Sequence, residues 1–207
     1  MYLQKQCVNG FAVSDIPEKK SFLYIEASEE KRQIYLKSIE NIDSDKLVYL
    51  DECGIDDNES YAYAWGKKGR RVHAKKPAKR NKRLSIISVL NQNNLQAPFL
   101  FEGSCTRDVF ITYLKKVLIP NLNEGQVVVL DNASFHKGGN IEQIIKEAGC
   151  TLLYLPPYSP DFNPIEHHWA SVKHRIKILL PLCNRDIYLA AYHAFQEVLS
   201  RTFSLSI

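Results

Sequence analysis

The chain has 207 residues, of which 45% are hydrophobic and 24% charged, and its formal net charge is +4. This length gives one full-sized domain and a small appendage, and the balance is that of a folded globular protein, which excludes a disordered one. No apolar run reaches the roughly 18–20 residues of a bilayer span, and the opening MYLQKQCVNGFAVSDIPEKK lacks the apolar core and cleavage site of a secretory signal, so a cytoplasmic protein without a membrane partner is expected.

Residues 28–42, SEEKRQIYLKSIENI, have the pattern of a short amphipathic helix opened by Ser28. KLVYLDECGI follows as a buried strand, expected to end near Asp51. YAYAWG at 61–66 and LSIISVLN at 84–91 read as two further strands. They flank GKKGRRVHAKKPAKRNKR, residues 66–83, which holds ten Lys/Arg and no acid. Together these pieces predict a long hairpin with positive charge at its tip. APFLFEG adds a short strand. TRDVFITYLKKVL, 106–118, repeats its apolar residues at helical spacing and is stopped by Pro120. GQVVVLDN is a second short apolar run ending in aspartate, and GGNIEQIIKEAGC is a helix closed at Gly149. TLLYLPP is another buried strand. A long helix is expected from Pro164 to about Leu180, and a last one from about Asn184 to Ser200.

This order predicts an α/β protein with one mixed sheet and helices on both faces. Hairpin first and helix-connected strands afterwards suits an RNase-H-like sheet. A dinucleotide fold is disfavoured, because no G-x-G-x-x-G follows a strand. The five cysteines, Cys7, Cys53, Cys105, Cys150 and Cys183, include no C-x-x-C pair, so they read as reduced packing residues. The basic segment suits a polyanion, whose phosphates would neutralise it with release of counterions; a solvated loop or a targeting signal is the other reading.

LVYLD at 47–51 and VVVLD at 127–131 each place an aspartate after four apolar residues, where ligands collect in α/β sheets. Alternation along a strand points Glu52 and Asn132 away from Asp51 and Asp131. An aspartate also commonly begins the loop after a strand, so neither is decisive alone. Glu166 lies at the start of the helix after the third apolar run. Three carboxylates from three elements make a site for Mg²⁺ or Mn²⁺, and two such ions roughly 4 Å apart suit in-line phosphoryl transfer. In NPIE, however, Asn163 as N-cap and Glu166 as third helical residue would also form a capping box. Ile165, Trp169, Val172 and Ile176 form that helix's buried stripe, with Glu166, Lys173 and Lys177 on one flank. His167 and His174 fall opposite the stripe, and H-x-x-x-H is absent, which disfavours zinc. His136 either approaches a scissile phosphate or hydroxyl, or is a satisfied loop histidine. Asp161 reads as a turn acid.

YLDECGI, AWGKKG, VVVLDNASFHK and LPPYSPDFNPIEHHWASVKHRIK together resemble the catalytic domain of mariner-like bacterial insertion-sequence transposases of the DDE superfamily. Thirty-four residues separate Asp131 from Glu166, the spacing typical of that family. The resemblance implies an RNase-H-like fold at 45–180, with a short helical linker remnant at 1–44 and a C-terminal helix packed on it at 181–207. It implies that Asp51, Asp131 and Glu166 are the metal-binding catalytic acids, holding two Mg²⁺ or Mn²⁺ ions. The expected chemistry is metal-dependent nicking of a transposon end, then attack of the freed 3′-hydroxyl on target DNA. Double-stranded DNA would be held by Lys67, Lys68, Arg70 and Arg71. Lys75, Lys76, Lys79, Arg80, Lys82 and Arg83 would continue that contact, with Lys173, Lys177 and His136 nearer the site. Members of this family carry helix-turn-helix domains in front, for which about 46 residues before the first strand are too few. The expectation is therefore a chain that self-associates or pairs with the product of an upstream or frameshifted reading frame, in the bacterial cytoplasm at the nucleoid. A catalytically idle DNA-binding fragment, and a nuclease that cleaves without joining, are the alternatives.

Overall fold

The sheet is built around β1 (Leu47–Asp56), the strand that carries Asp51 at its middle. The computed structural model describes residues 24–56, 67–71, 73, 83–138 and 140–203. The order of elements is α1 (Glu29–Ile39), β1, β2 (Arg83–Asn91), β3 (Asn94–Glu102), α2 (Arg107–Tyr113), β4 (Val127–Leu130), α3 (Ile141–Glu147), β5 (Thr151–Tyr154), α4 (Ile165–Leu179) and α5 (Ile187–Phe203). The five strands lie in the order β3-β2-β1-β4-β5. β1, β2 and β3 are antiparallel neighbours, whereas β4 and β5 add parallel to the other edge of β1. This is the mixed α/β sheet that the sequence predicts.

Alternation sorts the side chains onto two faces. Cys53 and Ile55 of β1, with Leu84 and Ile86 of β2, pack against the stripe Ile165, Trp169, Val172 and Ile176 of α4 and against α5. Val48 and Leu50 face the other way, onto Phe110 and Tyr113 of α2 and Ile141 and Ile145 of α3. Burying each stripe side chain stabilises the fold by about 1.5–3 kcal/mol. α1 joins the first face through Tyr35, over Val127 and Val129 of β4.

Several expected boundaries move, each for a tertiary reason. β1 does not stop at Asp51. Its parallel pairing with β4 ends at Tyr49↔Val129, but its antiparallel pairing with β2 continues to Asp56↔Arg83. β1 is therefore itself the first arm of the hairpin around the basic connection, and the strand expected at 61–66 lies outside the described residues. β2 and β3 are joined by the two-residue turn Gln92–Asn93 with φ of 47° and 64°, the left-handed geometry of a tight hairpin. β5 is an edge strand, so it is half-buried rather than buried. After α2 the chain widens through a π turn, Leu114–Leu118, and then tightens in a 3₁₀ turn that includes Pro120. Gly149 (φ +72°) closes α3 as expected, its amide on Lys146 and the next amide on Ile145. α5 begins at Ile187, not near Asn184, because Asn184 and Arg185 take positive φ and Asp186 caps the helix through Tyr188 and Leu189.

Candidate active site

The pairing Leu47↔Val127 and Tyr49↔Val129, continued by two residues, brings Asp51 level with Asp131 on neighbouring parallel strands. Because 47, 49, 51 and 127, 129, 131 share parity, the two aspartates belong to one face of the sheet. β4 ends at Leu130, so Asp131 stands where the strands part. Glu166, in the first turn of α4, arrives over the same face. The three acids line one open cleft of about 440 Å³, whose floor and wall include Asn163 and the 155–160 loop. Tyr158 of that loop is exposed and has φ of +56°, a left-handed conformation that an aromatic residue adopts only under outside constraint.

The acids differ in surroundings. Asp51 is buried; its Oδ1 accepts the Glu52 amide at 2.8 Å, and its Oδ2 accepts Asn163 Nδ2 at 3.2 Å and Trp169 Nε1 at 3.1 Å. Burial, then the charges of Glu52 and Glu166, push its carboxyl up to about 7, against the opposing pull of the donated hydrogen bonds. Asp131 is half-buried, and its Oδ1 accepts the Ala133 amide at 2.9 Å and lies 2.6 Å from His136 Nδ1. Burial favours its neutral form, but the hydrogen bonds from His136 and Ala133 and the charges of His136 and Lys137 outweigh it and hold the carboxyl below its ordinary value. Glu166 is exposed to the cleft. Its amide closes the helix start on the Asn163 carbonyl at 3.2 Å.

Sequence reasoning gave Asn163 a capping role and Trp169 a packing role. The Asn163 side chain instead leaves the helix end and binds Asp51, and the indole joins it there. A buried Trp must find a partner for its N–H, which was the available signal. Of the two readings of His136, the structure has the satisfied loop histidine. Its ring is fully buried, with Nε2 2.8 Å from Glu52 Oε1 and Nδ1 on Asp131, so both nitrogens are engaged inside the protein. The acids beside it, and the hydrogen bonds they accept, raise its pKa to about 9 against the lowering effect of burial. Asp161, read as a turn acid, also forms an ion pair with Arg32 at 2.8 Å.

Lys67, Lys68, Arg70 and Arg71 are exposed, as is Arg83, whose guanidinium lies over Gly54. Lys75, Lys76, Lys79, Arg80 and Lys82 lie outside the described residues. Lys173 and Lys177 are half-exposed on α4, and His167 and His174 are exposed as their place on the helix requires. Among the described residues no three acids, histidines or cysteines draw together as a closed metal-binding group. The donor set still suits a hard cation: carboxylate oxygens only, with Asp131 Oδ2 and the Glu166 carboxylate engaged by no hydrogen bond among the described residues, and Asp51 pushed up by burial and by its acidic neighbours, a repulsion that a cation would relieve.

Residues 46–181 match the family described as DDE superfamily endonuclease. The chain belongs to that family. Over 79 residues this DDE endonuclease chain is 33% identical to the transposable element Tcb1 transposase of Caenorhabditis briggsae, a match that spans 36% of the chain and 29% of that relative. Its fold is similar to that of Mos1 transposase in a paired-end complex with the left transposon end, with a TM-score of 0.56 and 14% identity over 91% of this chain and 65% of that one. The Mos1 paired-end complex with Mn gives 0.57 and 15% over 90% and 64%. The fold is thus RNase-H-like, and the chain covers under a third of the curated relative and less than two thirds of these solved chains. Among the described residues no helix is long and apolar enough to cross a membrane.

Proposed function

We propose that this chain is the catalytic domain of a transposase that cleaves double-stranded DNA at the ends of a mobile element and joins the freed strand to a target. Asp51, Asp131 and Glu166 act together, and the observation that carries this reading is their convergence on one cleft, with Asp51 and Asp131 level on adjacent parallel strands. These carboxylates would hold Mg²⁺ or Mn²⁺, two ions by preference; when bound, such ions supply charge stabilisation and activation of the attacking oxygen in phosphodiester displacement. The chain's own groups prepare the site. Asn163 and Trp169 fix the Asp51 carboxylate, and the Ala133 amide fixes that of Asp131. Lys173 and Lys177, on the flank of α4 that carries Glu166, neutralise approaching phosphates. The exposed cations of the β1–β2 connection hold the duplex at a distance from the acids, electrostatically and without reading sequence.

The relatives' names support a DNA substrate. An insertion-sequence setting at the bacterial nucleoid, self-association and partnership with an upstream DNA-binding product complete the proposal. A plasmid carrying the DNA that flanks the reading frame, incubated with purified protein and Mn²⁺, tests it. We expect nicks at the element ends that Asp131→Asn abolishes, followed by joined products. Nicks without joined products indicate a plain nuclease, and DNA binding without nicks indicates an idle fragment.

A further inference from the structure

Behind Asp131 stand two polar side chains that the three acids leave without a task. Glu52 follows Asp51 and therefore faces the opposite side of the sheet, where its side chain is 14% exposed. His136 is reached only by way of the loop after β4, yet its ring is completely buried between Phe110 and Phe135, with centroids 4.5 and 4.2 Å away. The hydroxyl of Tyr154 donates to the His136 carbonyl at 2.7 Å and pins the backbone as well. The imidazole then spans the two acids, Nδ1 at 2.6 Å from Asp131 Oδ1 and Nε2 at 2.8 Å from Glu52 Oε1.

Ionised carboxylates only accept hydrogen bonds, so between two of them each ring nitrogen donates. Rotating the ring would forfeit both bonds in an interior that offers no replacement. For Asp131 the effect is directional. Oδ1 is taken by His136 and by the Ala133 amide, whereas Oδ2 is engaged by no described residue, and the side chain as a whole keeps 44% of its exposure. A ring buried beside Phe110 and Phe135 needs partners at both nitrogens, and here both partners are acids, one of them Asp131 of the cleft and the other from a strand 84 positions away.

We propose that Glu52 and His136 are positioning residues for Asp131: Glu52 anchors the ring, the ring clamps Oδ1, and Oδ2 is thereby aimed into the cleft to ligate a divalent cation. This rests on the metal-binding role of Asp131 proposed above. Partners of this kind, one bond removed from the cation, orient a ligand and are commonly worth about 10–100-fold in metal affinity. The Glu52 carboxylate is not part of the cleft lining and bonds to His136. Its charge also acts on Asp51 through space, and Glu52→Gln separates the two effects, because it removes the charge and keeps an acceptor for Nε2.

Mn²⁺ binding to the DNA-free protein, followed by the paramagnetic resonance of free Mn²⁺, separates the possibilities. We expect Glu52→Ala and His136→Ala each to weaken Mn²⁺ binding by about 10-fold or more. Glu52→Gln, whose amide oxygen still accepts from Nε2, should recover part of the loss. DNA affinity in EDTA should stay at the parent level throughout, which shows that the fold and the phosphate contacts survive. Should His136→Ala fail to fold, the Glu52 pair decides alone, since that side chain is partly exposed and its glutamine variant preserves volume. Unchanged Mn²⁺ affinity in Glu52→Ala, with Asp131→Asn weakened, overturns the positioning role and leaves the acid site standing. Unchanged affinity in Asp131→Asn itself overturns the metal role of that acid, and the positioning role with it.

Discussion

Asp51 shows how one residue serves both fold and site. It is a buried carboxylate in the middle of a strand, satisfied by three donors from three places in the chain. Burial and two neighbouring acids nevertheless raise it from an ordinary 3.8 to about 7. The folded protein thus binds this proton more tightly than the unfolded chain does. Its contribution to stability is complete below the unfolded value and disappears as pH rises through about 7. Each tenfold difference in proton affinity is worth about 1.4 kcal/mol, so Asp51 alone moves stability by a few kcal/mol across that window. In metal-free protein, urea denaturation should give falling stability between pH 4 and pH 7, and Asp51→Asn should flatten most of that fall. An equally steep fall in the variant would show that another group carries it.

Among the elements, α1 makes the least conventional attachment. Tyr35 is its one buried side chain, so apolar burial holds it weakly. What holds it is the loop that leads into α4. Arg32 donates to both carboxylate oxygens of Asp161, at 3.0 and 2.8 Å, and its guanidinium lies 4.1 Å from the centre of the Phe162 ring, on which Tyr35 also stacks at 5.4 Å. Asp161 keeps 45% of its exposure, so solvent screens the pair and its share is about 1 kcal/mol. Arg32→Ala should lower stability by about that amount. It should also speed hydrogen exchange at the Phe162 and Asn163 amides, which bond to Ser159 and Pro160, more than at any sheet amide. Equal exchange in both proteins would mean that the loop keeps its shape without α1. This attachment was not legible in the sequence, where Asp161 follows the local rules of a turn. The same limit explains Asn163, for which a nearby helix end competes with an acceptor 112 positions away. It explains His136 too, since nothing local announces Glu52. By contrast, VVVL, the α4 stripe and the order of strands and helices were legible because each is a periodicity carried by adjacent residues. Asp51 was expected at a strand end but lies in mid-strand, because the pairing with β2 that prolongs β1 is invisible in β1 itself.

At the scale of the whole molecule, the charge is divided along a single strand. β1 carries Asp51 into the acidic cleft and ends five residues later at Asp56, and a rise of about 3.3 Å per residue puts that end roughly 17 Å further on. The basic connection leaves the sheet there and returns at Arg83. On the proposed function, a duplex lying over the cleft would extend toward that end of the strand. On that proposal the acids repel phosphates and the connection attracts them, so the first would do the chemistry and the second would supply affinity. Affinity of this origin has a salt dependence that counts contacts, with a logarithmic slope of about 0.9 for each phosphate neutralised on a duplex. Replacing the exposed Lys67, Lys68, Arg70 and Arg71 by alanine should therefore reduce the slope by up to about 3.6 and weaken binding to unrelated sequences equally. Nicking by complexes formed at saturating protein should continue at the parent rate, because none of the four lines the cleft. The same substitutions at Lys75, Lys76, Lys79 and Arg80 extend the count along the segment. A slope that stays at the parent value in both variants would remove the connection from the DNA interface and leave Lys173 and Lys177 of α4 as the cations beside the acids.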